Sequence, residues 1–296
     1  MARLRILVIT QKKSEVLTRL LESKNIVGII EPREDNSFIS KMEKALFKNV
    51  KRVAKKYNIP YYLMKDKKQE ILPWIIDKKP DLIVVYSMPF LLKEEVFLFP
   101  KLGTINLHTA LLPKYRGAVP IFWTYYFFDL DAGVTVHYID KGEDTGDIIL
   151  QKNVKVYLGE RYYELRSKFE NVGAEAILEA LSKIESNNVL RIQQPKDSPT
   201  PRAKRVKRSE YYGLIDWNWD IERLWHFLRG TENYLKPVLI QNSIIRKLSR
   251  VEIGDLELIE HKLTIGEYYK DTQGKFIACH NGKIYYKLKF WSPYKK

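Results

Sequence analysis

The sequence predicts an α/β fold: a mostly parallel sheet with helices on both faces, followed by a small, mostly β, barrel-like domain. Three observations carry that expectation. Short continuous apolar runs recur through the first third of the chain, as strands buried on both faces require. Segments with apolar residues at helical spacing alternate with them, which implies right-handed crossovers and parallel pairing. Near the C-terminus the pattern changes to short alternating segments punctuated by Gly254, Gly266, Gly274 and Gly282, as in antiparallel strands and turns.

The run at 4–9 is the first strand. Ser14 then offers an N-cap, and Val16, Leu17, Leu20 and Leu21 share a helical face until Asn25. A second strand follows at 26–30, a helix around 41–57 within a polar, basic stretch, and a strand at 60–63. A helix at 69–78 is broken by Pro80, and 81–86 is the strongest strand signal in the chain. Val134, Val136 and Tyr138 alternate with Thr135, His137 and Ile139, which marks an antiparallel or edge strand, and 164–184 is a long helix. Residues 193–213, rich in proline and carrying Arg202, Lys204, Arg205, Lys207 and Arg208, look like a linker. The expected division is 1–200 and 201–296, with Asp220 capping a helix that bears Ile221, Leu224, Trp225 and Leu228 on one face.

With 296 residues, 45% apolar and 29% charged, the chain has the composition of a folded globular protein. Its apolar runs fall far short of the roughly 20 residues that cross a bilayer, and the reading is a cytoplasmic protein. Cys279 is the single cysteine, which excludes an internal disulfide and a thiolate cluster. The five histidines show no His-x-x-x-His spacing, so no metal site is expected. No Gly-x-Gly-x-x-Gly follows the first strand, where Thr10, Gln11 and Lys12 stand instead; the sheet is Rossmann-like, but a dinucleotide site is not supported. The net charge of +15 attracts polyanions or phosphates without naming one. Residues 201–296 hold 19 Lys and Arg against 11 Asp and Glu, leaving 32 against 25 for residues 1–200. Per residue the C-terminal third is about twice as basic.

Asn106 and His108 stand two apart on one apolar strand, and Asp144 follows in a Gly-flanked loop. A neutral amide donor, a titratable imidazole and an anion to orient it are the parts needed to stabilise an oxyanion and move one proton. Taken singly, each could be a strand-end, core or turn residue; together they point to acyl transfer.

The text Asn106-Leu107-His108, Leu111-Leu112-Pro113-Lys114-Tyr115-Arg116-Gly117, Pro120, Gly133-Val134-Thr135 and Asp144-Thr145-Gly146-Asp147 resembles the 10-formyltetrahydrofolate-dependent formyltransferases. That family includes methionyl-tRNA, glycinamide ribonucleotide and nucleotide-sugar formyltransferases. The resemblance implies that Asn106, His108 and Asp144 are catalytic and that 10-formyltetrahydrofolate is the formyl donor. It further implies that Met88, Pro89, Phe90, Leu91 and Leu92 form a loop that holds the pterin, with Asp140, Lys141 and Gly142 closing the other side. Arg116 and Gly117 would shape the pocket mouth, Arg116 binding an acceptor phosphate or pairing with a carboxylate. His137 is expected to be structural or pocket-lining. Ile215, Asp216 and Trp217 look like the opening of the C-terminal domain of two-domain members.

Two acceptors are weighed. The basic residues Arg205 and Lys207 suit the phosphates of a tRNA, a nucleotide-linked amino sugar, or the glutamate tail of the folate. Thr10-Gln11-Lys12 in place of Gly-Thr-Pro, and Thr135-Val136-His137-Tyr138, depart from the tRNA enzymes and favour the amino sugar. A binding protein without turnover and a hydrolase of the same folate are the remaining alternatives. A homodimer through the apolar C-terminal strands is also compatible with the pattern.

Overall fold

The computed structural model describes residues 3–32, 50–65, 70–207, 209–235 and 249–290. The chain divides into two compact units: Met1–Pro120, Ala132–Val154 and Ser167–Ala203 form the first, and Ile121–Asp131, Lys155–Arg166 and Lys204–Lys296 the second.

The first unit is built on a seven-stranded sheet. Its strands are β1 (Arg5–Thr10), β2 (Asn25–Pro32), β3 (Tyr61–Met64), β4 (Leu82–Tyr86), β5 (Thr104–His108), β6 (Asp131–Tyr138) and β7 (Ile148–Lys155), in the order β3-β2-β1-β4-β5-β6-β7. Strands β3 to β5 pair in parallel, and β6 runs antiparallel to β5. The apolar runs expected as strands therefore form the sheet's centre, where β1 and β4 are buried nearly along their whole length. Strand order reverses between β1 and β4, so the carboxyl ends of these strands open the crevice where such sheets bind ligands.

Helices α1 (Glu15–Ser23), α2 (Val50–Lys56), α3 (Leu72–Lys78) and α4 (Glu94–Phe97) connect the parallel strands. Ser14 caps α1, its hydroxyl accepting from the Leu17 N–H at 3.3 Å. Helix α3 ends at Lys79, which takes a left-handed φ of 45° ahead of Pro80. Ile71 and Ile75 of that region and Val96 of α4 pack with Leu7, Ile9, Ile83 and Val85 in one cluster. The alternate residues Ile6, Val8, Leu82 and Val84 are equally buried toward the opposite face. Of the helix expected around 41–57, Val50–Lys56 is seen and the rest lies outside the described residues, as does Gln69 of the helix expected at 69–78. Strand β7 and helix α4 were not expected from the sequence.

Helix α5 (Pro120–Tyr126) follows the turn after β5, and the long α6 (Tyr162–Glu185) follows β7. Gly173 lets α6 approach β5 closely: a Cβ there would stand 2.7 Å from Leu107 Cδ2.

The stretch 193–213 is not a free linker along its first half. Gln194 is buried, Ser198 Oγ donates to the Pro113 carbonyl at 2.7 Å, and Tyr115 N–H donates to Thr200 Oγ1 at 2.7 Å. Ala203 pairs by backbone with both Arg116 and Val119. Its prolines suit an extended path without internal pairing, and the pairing is supplied by the turn it crosses.

The second unit carries α7 (Ile221–Gly230) and an antiparallel sheet of β8 (Ser249–Leu258), β9 (Tyr268–Lys270), β10 (Lys275–Cys279) and β11 (Gly282–Phe290), in the order β8-β11-β10-β9. Among the described residues this is an open four-stranded sheet. Asp220 stands at the N-cap of α7, but its side chain makes no capping bond. Ile221, Leu224, Phe227 and Leu228 are buried, and the Tyr211 ring stacks between Phe227 and Tyr234 at 5.6 and 5.1 Å. Arg161 ties Glu232 at 2.7 Å and the Ile253 carbonyl at 2.9 Å. His226 is fully buried against the Tyr125 ring, 4.8 Å away. Its Nδ1 accepts from the Gly159 N–H at 3.0 Å, and its Nε2 has no partner among the described residues. Burial pushes its pKa down to about 4. Cys279 is fully buried, and burial pushes its thiol up to about 12, so it is an inert packing residue.

Among the described residues no helix is long and apolar enough to cross a membrane.

Candidate active site

Residues two apart on a strand face the same way, so Asn106 and His108 leave β5 on one side. The antiparallel register with β6 sets His137 directly opposite Asn106, and Thr135 opposite His108. After β5 the chain makes a tight turn through a cis Leu112–Pro113 bond, with Tyr115 at φ 56° and Gly117 at φ 122°. Only glycine adopts the latter without strain, and a Cβ at 117 would also meet the Ala203 carbonyl at 3.0 Å. Thr135 Oγ1 anchors this turn: it donates to the Ala110 carbonyl at 2.6 Å and accepts from Leu112 N at 3.0 Å and Gln151 Nε2 at 2.9 Å.

Asp144 is the hub. One carboxylate oxygen, Oδ2, accepts from the Gly117 N–H at 2.9 Å and faces His108 Nδ1 at 3.4 Å. The other, Oδ1, accepts from Asn106 Nδ2 at 3.3 Å and faces His137 Nε2 at 3.5 Å. Asp144 itself holds a left-handed φ of 56°, a strained conformation of the kind that persists where surrounding contacts impose it.

The hydrogen-bond partners fix the orientation of the other groups. A carboxylate only accepts, so the Asn106 amide nitrogen points to Asp144, and its second hydrogen reaches His137 Nε2 at 3.1 Å. His137 Nε2 then carries the lone pair, while its Nδ1–H donates to the Tyr138 carbonyl at 2.8 Å. His108 Nε2 donates to the Tyr115 carbonyl at 2.9 Å, which leaves Nδ1 as its exchangeable position.

Burial works against the Asp144 anion, but His108, His137 and the Gly117 N–H outweigh it and hold the carboxyl well below the usual carboxylate range. For His108, burial of the ring draws the pKa below its ordinary 6.5, with Asp144 pulling the other way. Asp144 is thus ionised at neutral pH whichever form His108 takes, because the amide and backbone donors remain. The proton at His108 Nδ1 is the mobile one.

The sequence-expected trio therefore converges, and His137, expected to be structural or pocket-lining, lies beside it. Arg116, expected at the pocket mouth, is 8% exposed and donates to Gln194 Oε1 at 2.9 Å, the Pro195 carbonyl at 2.7 Å and the Lys196 carbonyl at 2.9 Å, so its guanidinium clamps the protein's own chain. Gly117 supplies a backbone donor to Asp144. Arg205 and Lys207 belong to the second unit and are exposed.

The loop at 88–92 leaves the carboxyl end of β4, where Ser87 turns the chain at φ 60°. Met88, Phe90 and Leu92 lean on the Leu7, Ile9 and Val85 cluster together with Ile139, while Leu91 is exposed. Among the described residues no backbone group of Met88, Pro89, Phe90, Leu91 or Leu92 has a hydrogen-bond partner, so donors and acceptors are free along an apolar wall. Facing residues come from 139–142: Lys141 pairs with Glu94 at 3.1 Å, and Asp140 Oδ1 accepts from Gly142 N at 3.0 Å and Thr145 Oγ1 at 2.6 Å. Among the described residues no cluster of His, Cys, Asp and Glu is arranged to hold a metal ion.

An acid-imidazole-amide cluster at the carboxyl end of β5, beside an apolar loop with free backbone groups, defines an acyl-transfer enzyme. The family model described as formyl transferase matches residues 4–181, and the chain belongs to that family, folate-dependent enzymes whose formyl donor is 10-formyltetrahydrofolate. It is 34% identical over 223 residues to the methionyl-tRNA formyltransferase of Clostridioides difficile (strain 630), covering 75% of this chain and 71% of that one. With the methionyl-tRNA formyltransferase of Acetivibrio thermocellus it shares 33% over 237 residues, 79% of this chain and 75% of the other. Among solved structures, a sugar 3N-formyl transferase in the presence of dTDP and 5-N-formyl-THF has the same fold at a TM-score of 0.65 and 16% identity, covering 98% of each chain. The N-formyltransferase of Helicobacter canadensis in complex with folinic acid and dTDP-3-aminofucose aligns at a TM-score of 0.64 and 15% identity, covering 97% of this chain and all of the other.

Proposed function

We propose that the Asp144 cluster transfers the formyl group of 10-formyltetrahydrofolate to a primary amine carried on a nucleotide or polynucleotide. The convergence of Asn106, His108 and His137 on one carboxylate is the observation that carries this reading. In the reaction the amine bonds to the formyl carbon, the bond from that carbon to the folate nitrogen breaks, and one proton passes from amine to departing nitrogen. Negative charge grows on the formyl oxygen, and the Asn106 N–H now held at 3.3 Å from Asp144 is the donor that can turn to it. His108, with Nε2 fixed on Tyr115, holds or releases the proton at Nδ1 against Asp144. Met88, Phe90 and Leu92 would pack the pterin, the backbone of residues 88–92 would meet its edge, and Asp140, Lys141 and Gly142 would close the opposite side.

Asn106→Ala is expected to fold normally and to lose about a hundred- to a thousandfold in kcat, read from folate released per formylated product. Wild-type turnover would remove Asn106 from the chemistry.

For the acceptor, the aminoacyl end of a tRNA comes first. The relatives above 30% identity over three quarters of this chain are tRNA enzymes, and the charge of +15 suits a polyanion. An amino sugar linked to a nucleotide is the second reading. It is favoured by Thr10-Gln11-Lys12 after β1. By register Thr10 neighbours Tyr86 and Tyr86 neighbours Leu107, so the residues after β1 leave the sheet two strands from Asn106. Incubation with 10-formyltetrahydrofolate, methionyl-tRNA and a panel of amino-sugar nucleotides decides between them by which species gains the mass of one formyl group.

Arg205 and Lys207 are assigned to long-range attraction of the acceptor's phosphates. Changing both to Glu should raise the KM for the acceptor several-fold at low salt and little at high salt, with kcat preserved. An unchanged KM at low salt makes them ordinary surface residues.

A further inference from the structure

The segment from Gln194 to Ala203 crosses the catalytic turn, and one of its side chains reaches the Asp144 loop. Gln194 is 9% exposed. Its Nε2 donates to the Asp144 carbonyl at 3.1 Å and to the Gly146 carbonyl at 2.7 Å, gripping the loop on both sides of Thr145. Its Oε1 accepts from Arg116 Nη2 at 2.9 Å and Nε at 3.3 Å. Arg116 is fixed in turn by the carbonyls of Pro195 and Lys196. The next residue after Arg116 is Gly117, whose N–H holds the Asp144 carboxylate. A buried amide thus bridges the two chain segments that must stay in register for Asp144 to meet His108 and Asn106, and it does so at a residue in the left-handed region, φ 56°.

We infer that Gln194, seated on Arg116, is a positioning residue that holds the Asp144 loop in its working geometry. The inference rests on the reading of Asp144 as part of the catalytic cluster. Gln194 touches no reacting atom; it acts through the backbone of residues 144–146. An amide is required because the site asks for two N–H donors toward carbonyls and one acceptor toward a guanidinium, which neither Glu nor an aliphatic side chain supplies.

The test compares Gln194→Ala, Gln194→Glu, Asp144→Ala and Ser198→Ala, the last removing a bond from the same segment to the Pro113 carbonyl. Both Gln194 variants should lower kcat about 10- to 100-fold with KM values within about threefold, as small misplacements of a catalytic group do. Ser198→Ala should match wild type. The Glu variant discriminates, because it keeps volume and the Arg116 contact and loses only the two donors. A second readout needs no turnover: titration of the His108 ring followed by NMR. That ring faces Asp144, Glu143 and His137, and of these Asp144 favours its charged form most. In both Gln194 variants the His108 titration should move to lower pH, and in Ser198→Ala it should stay. Unchanged kcat and unchanged His108 titration in both Gln194 variants, with Asp144→Ala inactive, overturn the inference. Equal losses in Ser198→Ala overturn it as well, by showing general loosening of the segment. Normal turnover in Asp144→Ala overturns the catalytic reading instead, and the His108 titration then still decides whether Gln194 holds the loop.

Discussion

Replacing Asp144 by Asn is expected to lower kcat about a thousand- to ten-thousandfold while leaving the fold intact, by analogy with loss of the orienting carboxylate in other acid-imidazole pairs. Two N–H donors use Asp144 as an acceptor, the Gly117 N–H on one oxygen and Asn106 Nδ2 on the other, and His108 Nδ1 faces the first oxygen at 3.4 Å. An amide places an NH₂ group against one of these donors, donor facing donor, and removes the charge that favours a proton on His108. Steady-state kinetics with saturating folate and acceptor provide the measurement. A loss under tenfold means that the carboxylate is a structural tether and that the oxyanion donor and substrate binding supply most of the rate.

The largest stability effect is expected at His226, through pH. Its pKa of about 4, against an ordinary 6.5, means the folded protein resists protonating it, whereas the unfolded chain takes up a proton below pH 6.5. The stability it contributes is therefore fully present above pH 6.5 and is lost as pH falls toward 4, by about 3 kcal/mol. His226→Gln keeps an acceptor for the Gly159 N–H and cannot titrate, so its denaturation midpoint should fall less than the wild type's between pH 7 and pH 4. His226→Ala should cost about 2–4 kcal/mol at neutral pH, from the lost packing on Tyr125 and the stranded Gly159 N–H. Parallel acid unfolding curves for wild type and His226→Gln would show that the ring does not titrate with folding.

What was legible in the sequence was what local pattern encodes. The apolar runs of β1 and β4 declare buried strands, Ser14 declares a helix start, and Asn106 and His108 share a face because a strand has a period of two. His137 was hard to place because its role depends on the register between β5 and β6, which local sequence does not carry. Arg116 was ambiguous for a similar reason: its partners lie nearly eighty positions away. The segment after Gln194 reads as a linker because proline and basic residues suppress any periodic signal, yet its order comes from long-range bonds to the turn at 113–119. Strand β7 gives little sequence signal because Gln151, Lys152 and Asn153 in its middle are polar, although burial alternates from Leu150 to Lys155.

The path of residues 194–203 sets a rule for recombining members of this family. If residues 194–203 position the Asp144 loop, a hybrid enzyme given a foreign C-terminal half is expected to keep that loop's geometry when the crossover falls beyond Ala203, where the bonds to Arg116 and Val119 end. A seam at the start of the proline-rich stretch, at 193, would deliver another enzyme's Gln194 equivalent to this enzyme's Asp144 loop.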